Sequence, residues 1–438
     1  MDKGILFSKM NFYIQGTRRF EIEKKYREFI HEELNLGKQI TYVKNKKMPF
    51  LNIFRYKEAF SYDFLKYFFR KCEIGSNDYI FDPFSGLGTT LFASMINGIP
   101  SIGIDKLPLA YFLSKTLPKF LLLKKNELLP HFKAIKNNIN KVKPADIALD
   151  VAIVKKAFDE KSLLELRKVK SAIDNLSQPY RDIFLFLFLA ILEDCSFTAK
   201  DGQFLRLKKN KELRDPFDAI KDKMNEVEQD LIRMSVAYPE LNPKKLIFPE
   251  TFLGDTRDLS KITFKRKPTA IITSPPYCNR YDYTRTYSLE LIFNFIKNFE
   301  ELKKIRFGIL RSHVESKIYE GEQPTHPVIS EVVNKLENQK LNNPRLPIMI
   351  TTYFIDMEKV INEWFKVLAN GAKVVMVVDN VRYEGELIPV DLVLTEIAEN
   401  IGFSVKEIKV ARYKGNSSQQ MKKYGRVPVR ESVVIWEK

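Results

Sequence analysis

The stretch 78–90, DYIFDPFSGLGTT, constrains this chain more than any other. An apolar run ends on Asp82, glycines follow at 86 and 88, and a threonine pair then suits a helix N-terminus. The order is strand, tight turn, helix. Glycines let a ligand approach the backbone closely, and free N–H groups at a helix start favour a negative or polar group. A second short run, PSIGID at 100–105, also ends on an acid, Asp105. It lies close to the distance of about 20 residues at which a ribose-binding acid follows a nucleotide-binding turn. Leu91 stands where the dinucleotide fingerprint needs a small residue, which disfavours a dinucleotide.

Strand, turn, helix and strand begin a parallel α/β sheet. The pattern resumes at FLGDTRDL (252–259), with Asp255 at another expected strand end, and at PTAIITSPPY (268–277). Residues 356–380 read as an amphipathic helix, an Asn-Gly turn and a buried strand, and 389–403 as a further helix. SVKEIKVARY and RESVVIWEK alternate like two antiparallel strands. Between about 110 and 246 the spacing is helical, with Leu163, Leu166, Val169 and Ile173 on one face, and no clear strand is expected. The expected domains are a helical arm over 1–45, a sheet domain over 46–110 and 247–438, and a helical insertion over 111–246. A helix is also expected over 52–72.

The formal net charge of +17 points towards a polyanionic partner. A lysine-rich, merely soluble chain is the plainer alternative. Three scattered cysteines and four histidines fit neither a disulfide framework nor a metal site. The start, MDKGILFSKMNFY, lacks the apolar core of a signal peptide. The apolar run at 183–192 falls short of the roughly 20 residues of a bilayer span. A cytoplasmic protein with no membrane partner and no metal is expected.

With Asp82, Gly86, Gly88 and the turn Ser274-Pro275-Pro276-Tyr277 in one chain, the sequence resembles the S-adenosylmethionine-dependent amino-methyltransferases of DNA. DPFSGLGTT is similar to their cofactor motif, and RYKEAFS (55–61) to the one that often precedes it. TSPPY resembles their catalytic turn in the serine form typical of cytosine-N4 enzymes. The resemblance covers about 45–106 and 250–438. It implies a Rossmann-like class I methyltransferase sheet, mostly parallel with a C-terminal antiparallel hairpin, carrying a large helical insertion. It implies S-adenosylmethionine as cofactor, double-stranded DNA as substrate and a cognate restriction endonuclease as partner. Asp82, Gly86 and Gly88 would shape the pocket for the methionine part, Asp105 would bind the ribose and Asp255 the adenine amino group. Phe84 and Phe60 would pack around the cofactor.

The chemistry suits the turn. An exocyclic amine is a poor nucleophile because its lone pair is delocalised into the ring. The Ser274 hydroxyl oxygen and the Pro275 carbonyl would accept from its N–H groups and free that lone pair. Prolines hold the carbonyl in place through their restricted φ. Tyr277 would stack on the base once it is flipped out. Cys278 does not directly follow a proline, as a cytosine-C5 nucleophile would, and is expected to pack. Arg280 and Arg285, and in the insertion Lys200, Arg206, Lys208 and Lys209, are expected phosphate contacts, with solvated charge as the alternative. NSSQQ (416–420) has amides suited to base edges. The target-reading element is expected in the insertion or in 295–347, around RSHVES and YEGEQPTHP. The alternatives are adenine-N6 methylation, an RNA or protein substrate, or a non-enzymatic specificity subunit.

Overall fold

The computed structural model describes residues 13–202, 204–415, 422–425 and 427–438. NSSQQ and most of the chain's start lie outside these. The strands are β1 (Ile30–Glu32), β2 (Ile80–Asp82), β3 (Ser101–Asp105), β4 (Thr198–Asp201), β5 (Phe204–Leu207) and β6 (Glu250–Leu253), followed by β7 (Ala270–Thr273), β8 (Lys373–Asp379), β9 (Val381–Tyr383), β10 (Glu386–Ile388), β11 (Ser404–Lys414) and β12 (Val429–Glu437). Eight of them form one sheet in the order β6-β3-β2-β7-β8-β12-β11-β1. β12 pairs antiparallel with β8 and β11, and the other pairings in this sheet are parallel. This is a Rossmann-like sheet with a C-terminal antiparallel hairpin.

Runs such as VVMVV at 374–378 are apolar throughout because both faces of a mostly parallel sheet are covered. Alternate side chains feed separate cores. Ile80, Ile272, Val375 and Val377 enter one. Phe81, Ile271, Val374, Met376 and Val378 enter the other. The first face carries helices Tyr62–Lys71, Thr89–Ile96 and Pro108–Thr116, and the second carries Leu346–Val367 and Val390–Ile401.

The insertion belongs to the first core. Its helix Tyr180–Ile191, formed by the apolar run, is buried along most of its length. Phe186 packs on Phe54 at 5.9 Å and on Phe120 at 5.1 Å between ring centroids. Leu166, Val169 and Ile173 are buried on helix Glu160–Asp174, and Leu163 packs partly buried beside them. Among the described residues, no helix is long and apolar enough to cross a membrane.

Three expectations need correction. The N-terminal arm is not purely helical, since β1 extends the sheet by pairing parallel with β11, Ile30 opposite Ile408. The insertion contains a strand pair, β4 and β5, where no strand was expected. The helix expected over 52–72 starts at Tyr62, where Ser61 caps it by accepting from the Phe64 N–H at 3.4 Å.

The arm is held by a buried ionic cluster. Arg430 of β12 donates to both Glu23 oxygens at 2.7 and 2.9 Å and to Asp391 at 2.7 Å. All three side chains are nearly inaccessible. Removing one member leaves uncompensated charge in the interior. Arg430→Met is expected to destabilise the fold by about 3–5 kcal/mol, read as a lower denaturant midpoint. A midpoint unchanged from wild type would show that the cluster does not hold the arm.

Candidate active site

The acids that end the strands gather at one edge of the sheet. Asp82 ends β2, Asp105 ends β3, Asp255 follows β6 and Ser274 follows β7. β2 has β3 on one side and β7 on the other, so the strand order reverses there, and such a switch point opens a crevice. A cleft opens there, lined by all four residues and by Phe60, Phe84 and Gly86.

Asp82 is 2% exposed and accepts from the Thr273 hydroxyl at 2.7 Å and the Phe84 N–H at 3.2 Å. Burial pushes its carboxyl up to about 6, against those hydrogen bonds. Asp105 accepts from the Gly86 and Leu107 N–H groups, each at 2.9 Å. Burial raises it to about 6 as well. Asp105 thus holds the glycine turn in place while facing the cleft.

The glycines answer first to the protein's own packing. Gly86 and Gly88 have φ of +52° and +91°. A Cβ on Gly86 would meet the Tyr56 ring at 3.1 Å, and one on Gly88 would meet the Ser114 backbone at 2.9 Å. Gly88 is therefore needed for the approach of helix Pro108–Thr116, beyond any ligand.

Asp255 is already engaged. It accepts from the Arg257 N–H at 3.0 Å and from the Arg257 guanidinium at 2.9 and 2.7 Å. Burial alone would raise its carboxyl, but these bonds and the Arg257 charge hold it below the usual carboxylate range. Arg257 also donates to Asp356 at 2.7 Å, and Asp356 accepts from Arg311 at 2.7 Å. Phe84 packs edge-on against Trp364 at 6.4 Å. The sequence reading missed Arg257, although it stands two residues after Asp255 in GDTRDL.

A second cavity lies on the other side of the turn, lined by Ser274, Pro275, Tyr277, Asn279, Lys414 and Glu431 among others. Ser274, Glu58 and Tyr283 line both cavities. Pro276 lines the first cavity alone. The Tyr277 hydroxyl donates to Glu431 at 3.1 Å, and Glu431 is held by Arg412 at 2.5 Å and Lys414 at 3.3 Å. Beside Glu431, burial pushes Asp379 up to about 7 even though Lys414 bonds it at 2.6 Å. Glu58 and the Asp379–Glu431 cluster escaped the sequence reading, which had no signal that these acids meet the turn. Cys278 is fully buried, and burial drives its thiol far up.

The expected phosphate contacts divide. Arg206, Lys208, Lys209 and Arg280 are exposed. Arg280 stacks over the Tyr383 ring at 5.4 Å, and Arg285 is paired with Asp282 and Glu315. Lys200 must be withdrawn as a DNA contact: it is 5% exposed and paired with the buried Glu290. RSHVES is corrected too, because Arg311, Ser312, His313 and Ser316 are buried in the wall of the fold.

No protein-family model matches the chain. It is 32% identical to the type II methyltransferase M.BsoBI of Geobacillus stearothermophilus, over 98% of this chain and 93% of that protein. It is 33% identical to the type II methyltransferase M.AvaI of Nostoc sp., over 100% of this chain and 97% of that protein. The chain belongs to the type II methyltransferases. Such methyltransferases are the DNA-modifying enzymes of restriction–modification systems and use S-adenosylmethionine. Among solved structures, TrmN from Thermus thermophilus aligns over 85% of this chain and 48% of its own, with a TM-score of 0.27 and 9% identity.

The first cleft of this type II methyltransferase fits that cofactor. Asp82 and Asp105 offer acceptors to a ligand with cationic and hydroxyl groups. Among the described residues, the buried hydroxyls of Ser85 and Thr89 on the cleft wall have no partner, which suits a carboxylate. A cationic ligand favours ionised acids, so affinity is expected to be level well above pH 6 and to fall below it as Asp82 and Asp105 protonate. The decline should approach about tenfold per pH unit for each acid that must ionise. Calorimetric titration with S-adenosylmethionine across that range tests this, and an affinity that rises on acidification would contradict it.

Proposed function

We propose that this type II methyltransferase methylates the exocyclic N4 amine of cytosine in double-stranded DNA, protecting a site from a cognate restriction endonuclease. The observation that carries the reading is that Ser274 lines both cavities at once. The cofactor, when bound, supplies an electrophilic methyl group. The protein's part is to deliver the amine to it in the right form.

In this reading the second cavity receives the flipped base, since its target atom is out of reach inside a duplex. The Ser274 hydroxyl oxygen and the Pro275 carbonyl accept from the amine's N–H groups and turn its lone pair towards the first cleft. Little reorganisation is needed, because the two prolines restrain the backbone beforehand. The Tyr277 ring offers the stacking face, and its hydroxyl is tethered to Glu431. Asp82 and Asp105 hold the methionine and ribose parts on the other side, with Asp255 as the adenine acceptor alongside Arg257. The serine in the turn is what favours cytosine over adenine.

Incubation with S-adenosylmethionine and unmethylated DNA, followed by mass spectrometry of the nucleosides, is expected to show N4-methylcytosine. N6-methyladenine would move the reading to the other base, and no modified nucleoside on any DNA would defeat it. Ser274→Ala is expected to keep cofactor affinity and lose about a hundredfold in turnover. An undiminished rate would remove Ser274 from the chemistry.

A further inference from the structure

The insertion's hairpin, β4–β5, meets the lining of the second cavity through Lys57. Lys200 anchors it: paired with Glu290, its ammonium lies 4.9 Å from the Phe54 ring centre and 4.7 Å from that of Tyr287. The Lys200 N–H donates to Glu193 at 3.0 Å. At the turn, Lys57, which lines the second cavity, donates to the Gly202 carbonyl at 3.4 Å. The hairpin tip is therefore mounted at the edge of that cavity.

The register assigns its faces. Lys200 stands opposite Leu205, and Asp201 opposite Phe204. Side chains alternate along a strand, so Lys200 and Leu205 share the inner face while Asp201, Phe204 and Arg206 share the outer one. Phe204 is 53% exposed. Arg206, paired with Asp201 at 3.3 Å, stands beside it, and the exposed Lys208 and Lys209 follow.

Single apolar side chains are common on protein surfaces. Location distinguishes this one. A duplex that gives up a base is left with a gap in its stack, and opening that gap costs a few kcal/mol. An exposed aromatic side chain two residues from the Gly202 carbonyl that meets the lining of the receiving cavity, flanked by cations, is complementary in shape and charge to the opened duplex. We propose that Phe204 is the wedge that fills the space vacated by the target base, while Arg206, Lys208 and Lys209 hold the adjoining phosphates. The proposal rests on the second cavity being the base pocket. It also gives the buried Lys200 a purpose, because a wedge needs a rigid mount.

The test uses the full chain and two duplexes carrying the site that wild-type protein methylates in plasmid DNA. One duplex is fully paired and the other is mispaired at the target base, which makes flipping easier. Phe204→Ala is expected to lose about tenfold or more in single-turnover rate on the paired duplex and far less on the mispaired one. Phe204→Leu should recover part of the loss. Cofactor affinity should match wild type in both variants, since Phe204 does not line the cofactor cleft. A mispaired-to-paired rate ratio equal to that of wild type would overturn the wedge, including where the variant is slow on both duplexes or changes its oligomeric state. Wild-type protein inactive on all DNA would instead defeat the proposed function.

Discussion

The hydrogen bond from the Thr273 hydroxyl to Asp82 is the contact on which the site's layout depends. Thr273 is the last residue of β7 and stands directly before the Ser274-Pro275-Pro276-Tyr277 turn, and Asp82 ends β2 directly before the glycine turn. Both side chains are buried. The bond therefore ties the two turns together at the point where the strand order reverses. Burial makes it stringent, since an unpaired carboxylate in that position would be costly. Ser274 can line both cavities because its backbone leaves the sheet at that clamp.

Around the clamp, packing and binding use the same residues. Asp105 accepts from the Gly86 N–H and faces the cleft. Gly88 is demanded by Ser114 of the neighbouring helix, so the ligand's cradle and the first core are one construction. The insertion joins that core through Phe186 and Lys200, and its Gly202 carbonyl meets Lys57 on the lining of the second cavity. A segment that interrupts the sheet in sequence thus packs into the sheet's first core while keeping its own strand pair separate, and that pair carries charged and apolar surface.

Much of this was legible in the sequence. The strands that end on Asp82 and Asp105, the run 374–378 and the closing antiparallel pair carry strong local patterns, and local pattern decides whether a segment buried on both sides becomes a strand. What escaped was non-local. The pairing of β1 with β11 joins segments far apart in the chain, and three residues leave almost no periodic signal. Lys200 looked like one more solvated cation, because composition does not tell that Glu290 and two aromatic rings enclose it. Arg257, Glu58 and Glu431 are ordinary letters in sequence and acquire meaning only where the fold brings Arg257 to Asp356, Glu58 to Tyr287 between the cavities and Glu431 to Tyr277. That Ser114 also requires Gly88 is not readable from the motif, because the helix that makes the demand lies well beyond it in the chain.

The central claim is that Ser274 joins a methyl-donor cleft to a base pocket. A crystal structure of the protein with its DNA site and an unreactive cofactor analogue tests it most directly. The account predicts a target base rotated out of the duplex, stacked on Tyr277, with its exocyclic amine about 3 Å from both the Ser274 hydroxyl and the Pro275 carbonyl. A base held in the second cavity with its amine turned away from Ser274, or an analogue seated outside the Asp82–Asp105 cleft, would contradict it.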